Sequence, residues 1–238
     1  MPWSEIDMSP TKKMATRAVK RASLPSRQRM SAADRKEQIV SAAIRLFSEH
    51  GFESSTHQLA QRLGVTQPAI YKHFPTKDDL IEAVYERVFL SEWKSTWDVV
   101  LADRNVEIEA RLAAFYADYT RRIFETDWSR IYLFSGLKRL QINRWYVALV
   151  EERVLGRIGA ELRAALGFPP VSEVPLTTEE IEALWLFHGG IFYYGVRDRV
   201  YGIPPKVDSA KAVDILARVV VGGMRALLEQ IAFRTAVT

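Results

Sequence analysis

Residues 63–74, LGVTQPAIYKHF, concentrate groups that donate and accept hydrogen bonds in one short segment. Thr66 and Gln67 follow a glycine-valine turn, and a tyrosine, a lysine and a histidine come one helical turn later. An amide such as Gln67 can bind adenine through both of its polar atoms, and a cation can bind phosphate. The segment therefore fits either a catalytic site or a nucleic-acid interface.

The rest of the sequence argues against catalysis. Neither His57 nor His73 has a second histidine at the i, i+4 spacing of a helical metal pair, and the chain has no cysteine. It shows no glycine-rich phosphate loop, serine elbow or paired-carboxylate motif. We expect no enzyme activity, no metal and no cofactor, although a helical enzyme remains an alternative.

Two helices lead up to this segment. Ser31 can cap a helix over 32–50 that ends at Gly51, and Ser55 with Gln58 has the spacing of a capping box. The second helix then runs to residue 63.

A third helix follows the turn. Gly64 makes the turn, Thr66 can cap the helix, and Pro68 is tolerated because first-turn amides have no intrahelical partner. Pro75 ends the helix. Two short helices joined by a tight turn predict a helix-turn-helix, whose second helix enters the major groove of DNA.

Residues 34–85, above all THQLAQRLGVTQPAIYKHFPTKDDLIEAV, resemble the DNA-binding domain of the TetR family of bacterial transcriptional regulators. The resemblance implies that base edges are contacted by His57, Thr66, Gln67, Pro68 and Ala69. It implies that phosphates are contacted by Thr56, Tyr71, Lys72, His73 and Lys77. The alternative for His73 is an ordinary surface residue.

One position departs from the tetracycline repressor of that family. His57 stands where that repressor uses an arginine to bind guanine. A histidine can donate one hydrogen bond there but lacks the arginine fork, so the DNA sequence that is bound should differ.

The remaining sequence predicts only helices, with no sustained alternation typical of strands. The predicted helices span residues 77–101, 106–125, 127–140, 143–166, 178–200 and 208–233. Thr178 and Asp208 are the expected caps of the last two. We predict an all-α fold of about nine helices, divided into a disordered basic arm (1–30), a helix-turn-helix domain (31–76) and an effector-binding and dimerisation domain (77–238).

Positive charge is concentrated near the N-terminus although the formal net charge is only +4. Between residues 12 and 36 a single acid, Asp34, faces nine cations: Lys12, Lys13, Arg17, Lys20, Arg21, Arg27, Arg29, Arg35 and Lys36. Such an arm can reach into a DNA minor groove, or it can be a solvated tail. Since no apolar run reaches the roughly 20 residues of a membrane span, we expect a soluble, cytoplasmic, nucleoid-associated protein without a membrane partner.

The part of the chain that follows the predicted helix-turn-helix domain carries many aromatic residues. We predict that a small apolar or aromatic effector binds among Trp93, Trp97, Tyr116, Tyr119, Trp128, Tyr132, Tyr146, Trp185, His188 and Phe192. Tyrosine and tryptophan each carry a polar group that needs a partner, which favours a cavity with convergent donors. The alternative is that these rings form solid core and that His188 is a buried, hydrogen-bonded histidine.

The last two predicted helices are apolar nearly all round and contain the pairs Gly189–Gly190 and Gly222–Gly223. Close approach of helix backbones would explain these glycines, so we predict a homodimer through 178–200 and 208–233 that binds a near-palindromic operator. By the resemblance, the chain is expected to be a repressor whose helix 77–101 moves when an effector binds. A protein partner in place of the small molecule is the alternative.

Overall fold

The computed structural model describes residues 30–91 and 93–237, of which 235–237 are described by their backbone alone. The described residues are helical, with no strand among them, which confirms the all-α prediction. The N-terminal helices are α1 (Ala32–His50), α2 (Thr56–Leu63), α3 (Gln67–Tyr71) and α4 (Lys77–Tyr85). The helices that follow are α5 (Ser95–Ala102), α6 (Ile108–Glu125), α7 (Trp128–Leu137), α8 (Gln141–Val150), α9 (Gly156–Leu166), α10 (Thr178–Arg199) and α11 (Ser209–Val237). The predicted basic arm lies outside the described residues apart from Met30.

Local capping explains why α1 and α2 form where the sequence predicts them. The Ser31 hydroxyl accepts a hydrogen bond from the Asp34 amide, and Gly51, at φ 72°, ends α1. Ser55 and Gln58 form the predicted capping box at the start of α2. Each cap satisfies amides that a helix leaves without an intrahelical partner.

The predicted helix over 77–101 is wrong, because the helical run that begins with α4 stops after Leu90. A π turn, Glu86–Leu90, extends α4, and the Ser91 hydroxyl then bonds to the Arg87 carbonyl at 2.6 Å. Lys94 is extended (φ −98°, ψ 123°) and precedes α5. Trp93 therefore lies between two helices rather than on one.

A contact with α6 accounts for this break. The Asp118 carboxylate accepts hydrogen bonds from Lys94 Nζ at 2.6 Å and from Trp97 Nε1 at 2.8 Å. Hydrophobic periodicity continues through the break, so the sequence pattern does not reveal it. The interruption is set by tertiary structure, which routinely overrides local propensity.

The C-terminal part is a helical body in which α6 packs against α11 and α10 packs against both. A π turn, Glu151–Leu155, joins α8 to α9 without a break, so the predicted helix 143–166 is present from Gln141. The predicted helix 127–140 ends earlier, at Leu137, before Arg139 takes a φ of 53°. None of the helices in the described part of the chain is long and apolar enough to cross a membrane.

The cap of α10 is Thr177 rather than the predicted Thr178. The Thr177 hydroxyl accepts from the Glu180 amide, and the Glu180 carboxylate accepts from the Thr177 amide, which makes a complete capping box. Glu180 is fully buried and also binds Arg163 through two hydrogen bonds of 2.7 and 2.6 Å. This ion pair fastens α9 to the start of α10.

Replacing Glu180 with glutamine tests the buried pair. Burial raises the pKa of Glu180, but bonds from Arg163 and Thr177 outweigh that and hold the pKa below its usual range. A carboxyl with a lowered pKa stabilises the fold above its unfolded-state pKa and loses that contribution as pH falls. We expect Glu180→Gln to lower the free energy of unfolding by about 3 kcal/mol at neutral pH, with a smaller difference from wild type in acid. Chemical denaturation at several pH values measures the loss at neutral pH and its decrease in acid.

The neighbouring residue supplies a matched control. Glu179 pairs with Arg234 at the surface, where both side chains are about half exposed. Glu179→Gln should change the free energy of unfolding by less than about 1 kcal/mol. Equal losses for the two variants would show that the buried pair contributes nothing of its own.

Candidate functional site

The α2–turn–α3 segment exposes most of the side chains that the sequence assigns to DNA. Gly64 is left-handed (φ 63°, ψ 35°), and the Val65 amide donates to the Ala60 carbonyl at 3.0 Å, so the turn is tight. Ile70 and Phe74 are buried and hold α3 on the three-helix core. The exposed predicted residues are His57, Thr66, Pro68, Ala69, Tyr71 and Lys72, whereas Gln67, His73 and Lys77 are half-buried.

Thr56 lies beneath this surface and bonds to two of its side chains. Its side chain is buried, and its hydroxyl accepts a hydrogen bond from Gln67 Nε2 at 2.7 Å. The same hydroxyl lies 3.1 Å from the Tyr71 hydroxyl. To bind adenine through both amide atoms, Gln67 must therefore release Thr56. The structure gives Thr56 a supporting position beneath α3, which the sequence did not reveal.

Lys77 joins the helix-turn-helix to α4. Its ammonium donates to the Phe52 carbonyl at 2.5 Å, while Thr76 and Asp79 form a capping box at the same helix start. Thr66 occupies the predicted N-cap position of α3 but makes no side-chain capping bond. The His57 side chain is on α2, and its Nε2 lies 3.2 Å from Nε2 of the Gln61 side chain.

A second connection to the body runs through α7. Arg130 Nε donates to the Ser48 carbonyl at 2.6 Å, and Lys138 pairs with Glu53 at 2.5 Å. Between these bonds the Phe134 ring lies against Gly51, where an added Cβ would stand 3.3 Å from the ring. No sequence motif indicated this contact, because its residues are more than 80 positions apart.

Comparison with known proteins agrees with this geometry. Residues 39–84 match the family model described as bacterial regulatory proteins, tetR family. The regulator SrpR of Pseudomonas putida is 26% identical over 175 residues, which cover 71% of this chain and 78% of that protein. The chain belongs to the TetR family. The class C tetracycline repressor of Escherichia coli is 42% identical over 52 residues, which span 21% of this chain and only 24% of that repressor.

Solved structures show that the likeness in fold extends to the body. A TetR-like regulator from Rhodococcus sp. RHA1 superposes with a TM-score of 0.59 at 18% identity, over 82% of this chain and all of that one. AmtR of Mycobacterium smegmatis gives a TM-score of 0.53 at 23% identity, over 84% and 90% of the two chains. At these identities the structures establish the fold alone. The relatives are transcriptional regulators rather than enzymes, and this TetR-family chain is one of them.

The aromatic residues predicted to hold an effector pack against one another in the interior of this TetR-family body. Trp97, Tyr116, Tyr119, Trp128, Tyr146 and His188 are buried, and Trp93, Tyr132, Trp185 and Phe192 are half-buried. Trp128 lies with its ring centroid 4.8 Å from that of Tyr146 and 4.9 Å from that of Tyr132. Such edge and stacked contacts are typical of filled aromatic core.

Most polar groups of this cluster have partners within the protein. The Tyr116 hydroxyl lies 3.1 Å from His188 Nδ1, and the Tyr119 and Tyr146 hydroxyls bond to each other. Trp185 Nε1 donates to Glu151 at 3.2 Å. Burial lowers the pKa of His188 to about 4, so this histidine is neutral at physiological pH. Their role in binding an effector stays a prediction.

A cleft of about 860 Å³ lies elsewhere, between α6, α10, the loop after α10 and the start of α11. None of the ten predicted effector residues lines it. A smaller hollow of about 390 Å³ is bordered by one of them, Trp93, together with Arg153 and Arg157. The sequence pattern does not mark this cleft, because residues 117–125 of α6 and residues 190–216 meet only in the folded chain.

Removing the Thr56 hydroxyl tests the support beneath α3. Thr56→Val keeps the shape of the side chain but removes the partner of Gln67 and Tyr71, so we expect the free energy of unfolding to fall by about 1–2 kcal/mol. Urea denaturation measures the change. Thr66→Val is the matched control, since the Thr66 side chain makes no capping bond. If both substitutions cost the same, the Thr56 bonds do not stabilise the domain.

Proposed function

We propose that this TetR-family regulator is a repressor that binds a near-palindromic operator as a dimer and is released by a small effector. The observation that carries the proposal is the exposed, hydrogen-bonding surface at the start of α3, with Thr66, Pro68 and Ala69 beside Gln67. Small and polar side chains at the N-terminal end of a recognition helix can approach base edges in the major groove.

The contacts divide into two groups. His57, Thr66, Gln67, Pro68 and Ala69 are assigned to base edges. Thr56, Tyr71, Lys72, His73 and Lys77 are assigned to phosphate. The exposure of Tyr71 and Lys72 supports their assignment. Thr56 and Lys77 are already bonded to Gln67 and Phe52, so a direct phosphate contact requires them to exchange those partners.

Selection of bound duplexes from a random pool tests DNA recognition. Wild type should enrich a near-palindromic site, and Gln67→Ala should relax one position per half-site at a cost of about 1–3 kcal/mol. Lys72→Ala should instead weaken binding to every sequence alike and reduce the salt slope by about 1. Lys211→Ala on α11 is the control lysine and should leave affinity unchanged. No enrichment by wild type at moderate salt would overturn the proposal.

The dimer is supported by apolar surface that one chain leaves exposed. Helices α10 and α11 run antiparallel, since Arg234 near the end of α11 binds Glu179 at the start of α10 at 2.8 Å. At helical spacing they expose Leu186, Gly189 and Tyr193 on α10 and Ile215, Val219, Gly222, Ala226 and Phe233 on α11. Contiguous apolar surface of this kind marks an interaction site. A Cβ added at Gly189 or Gly222 would meet no atom within 4 Å, which leaves room for a partner helix.

A matched pair of exposed valines tests the interface. Val219 on α11 is 62% exposed and Val99 on α5 is 69% exposed. Val219→Glu should raise the dimer dissociation constant about a hundredfold or more, because it buries an unpaired charge. Val99→Glu should leave that constant unchanged. Sedimentation velocity over a dilution series gives both values, and an equal response of the two variants would exclude α11 from the interface.

The structure changes the proposed route of regulation. Because the helix breaks after Leu90, an effector would act on the segment between α4 and α5 rather than through one continuous helix. The filled aromatic interior favours the alternative, in which a protein partner rather than a small molecule controls the regulator. The cleft beside α6 supports control by a small molecule, because clefts of about 300–1,000 Å³ bind drug-sized ligands.

A further inference from the structure

The cleft beside α6 has an apolar floor. Phe124, Ile191, Val213 and Leu216 line it, and Gly195 exposes the backbone of α10 between them. A Cβ at position 195 would lie 2.1 Å from the Phe124 ring, so glycine is needed for that ring to pack this closely against α10. The apolar part of a ligand can therefore pack between α6 and α11.

The rim of the cleft carries charges of both signs in equal number. The cations are Arg121, Arg199 and Lys206, and the acids are Glu125, Asp198 and Asp208. Arg121 is already bonded to Asp118, Arg199 pairs with Asp198 at 3.1 Å, and Asp208 accepts the Lys211 amide at 2.8 Å. A ligand with a net charge would face no excess of the opposite sign, and enclosing that charge would cost desolvation energy.

We propose that this cleft is the effector site and that it takes an amphipathic organic molecule with no net charge. Its apolar body occupies the floor, and its polar end meets the charged rim. The proposal rests on the proposed regulatory function and places the effector outside the aromatic interior, where the sequence predicted it. The volume, about 860 Å³, suits a ligand of drug size.

The wall of the cleft is bonded to the segment that follows α4. Arg121 lines the cleft and binds Asp118 one turn earlier on α6. Asp118 in turn holds Lys94 and Trp97, on either side of the start of α5. A ligand that engages Arg121 therefore competes with Asp118 for the same guanidinium and alters the restraint on the chain between α4 and α5.

Two exposed alanines on α6 give a matched test of the site. Ala117 lines the cleft, whereas Ala114, one turn earlier, does not. The probe is Nile red, a neutral polycyclic dye, titrated by fluorescence into the full chain. Ala117→Trp should narrow the cleft and weaken binding by at least about tenfold, and Ala114→Trp should leave it within about twofold of wild type. The anionic dye anilinonaphthalene sulfonate should bind the cleft at least about tenfold more weakly than Nile red.

Several results would overturn the proposal. They are an absence of Nile red binding, equal affinity in all three proteins, and preference of the cleft for the anionic dye. Loss of the dimer by Ala117→Trp without any dye binding would show that a second chain, not a ligand, fills the cleft. Duplex binding is measured on the same three proteins. If the wild-type chain binds duplex but not dye, only the proposed effector site is refuted. If it binds dye but not duplex, the proposed regulatory function is refuted.

Discussion

The Asp118 carboxylate fixes how the DNA-binding end of the chain is attached to the body. It accepts bonds from Lys94, Trp97 and Arg121, and the hydrogen bond from Lys94 contributes most to holding its pKa well below the usual range. These bonds draw the residues after α4 onto α6, where a continuous helix would otherwise run on. Because the helix ends there, the helix-turn-helix is connected to the body by a short helix, α4, and by the non-helical residues between Leu90 and α5.

The second attachment limits what that bend can do. Arg130 on α7 holds the Ser48 carbonyl at the end of α1, and Phe134 lies on Gly51. A rotation of the helix-turn-helix domain relative to α7 would strain these contacts, because they join the end of α1 to α7. Two separate attachments with different partners can define two discrete arrangements, which is what a ligand-dependent change of state requires.

The sequence predicted the features that depend on neighbouring residues. The Ser31 and Ser55 caps, the Gly64 turn and the burial of Ile70 all follow from residues a few positions apart, and the structure has each of them. The break after α4 could not be predicted, because it depends on Asp118, some 24 residues beyond Lys94. The Arg163–Glu180 pair and the cleft likewise depend on chain segments that meet only in the folded state.

For the aromatic residues, the sequence pattern alone does not decide between a cavity and a solid core. Ten rings at helical spacing are compatible with a cavity or with solid core, and only the distances between them distinguish the two. Because Phe115 and Tyr119 of α6 pack ring against ring with Trp97 of α5, this side of α6 cannot move away from α5 without opening a void. Close-packed interiors transmit displacement rather than absorb it. A shift imposed on α6 from the cleft would therefore carry Asp118 with it, and Lys94 would follow the carboxylate to which it is bonded.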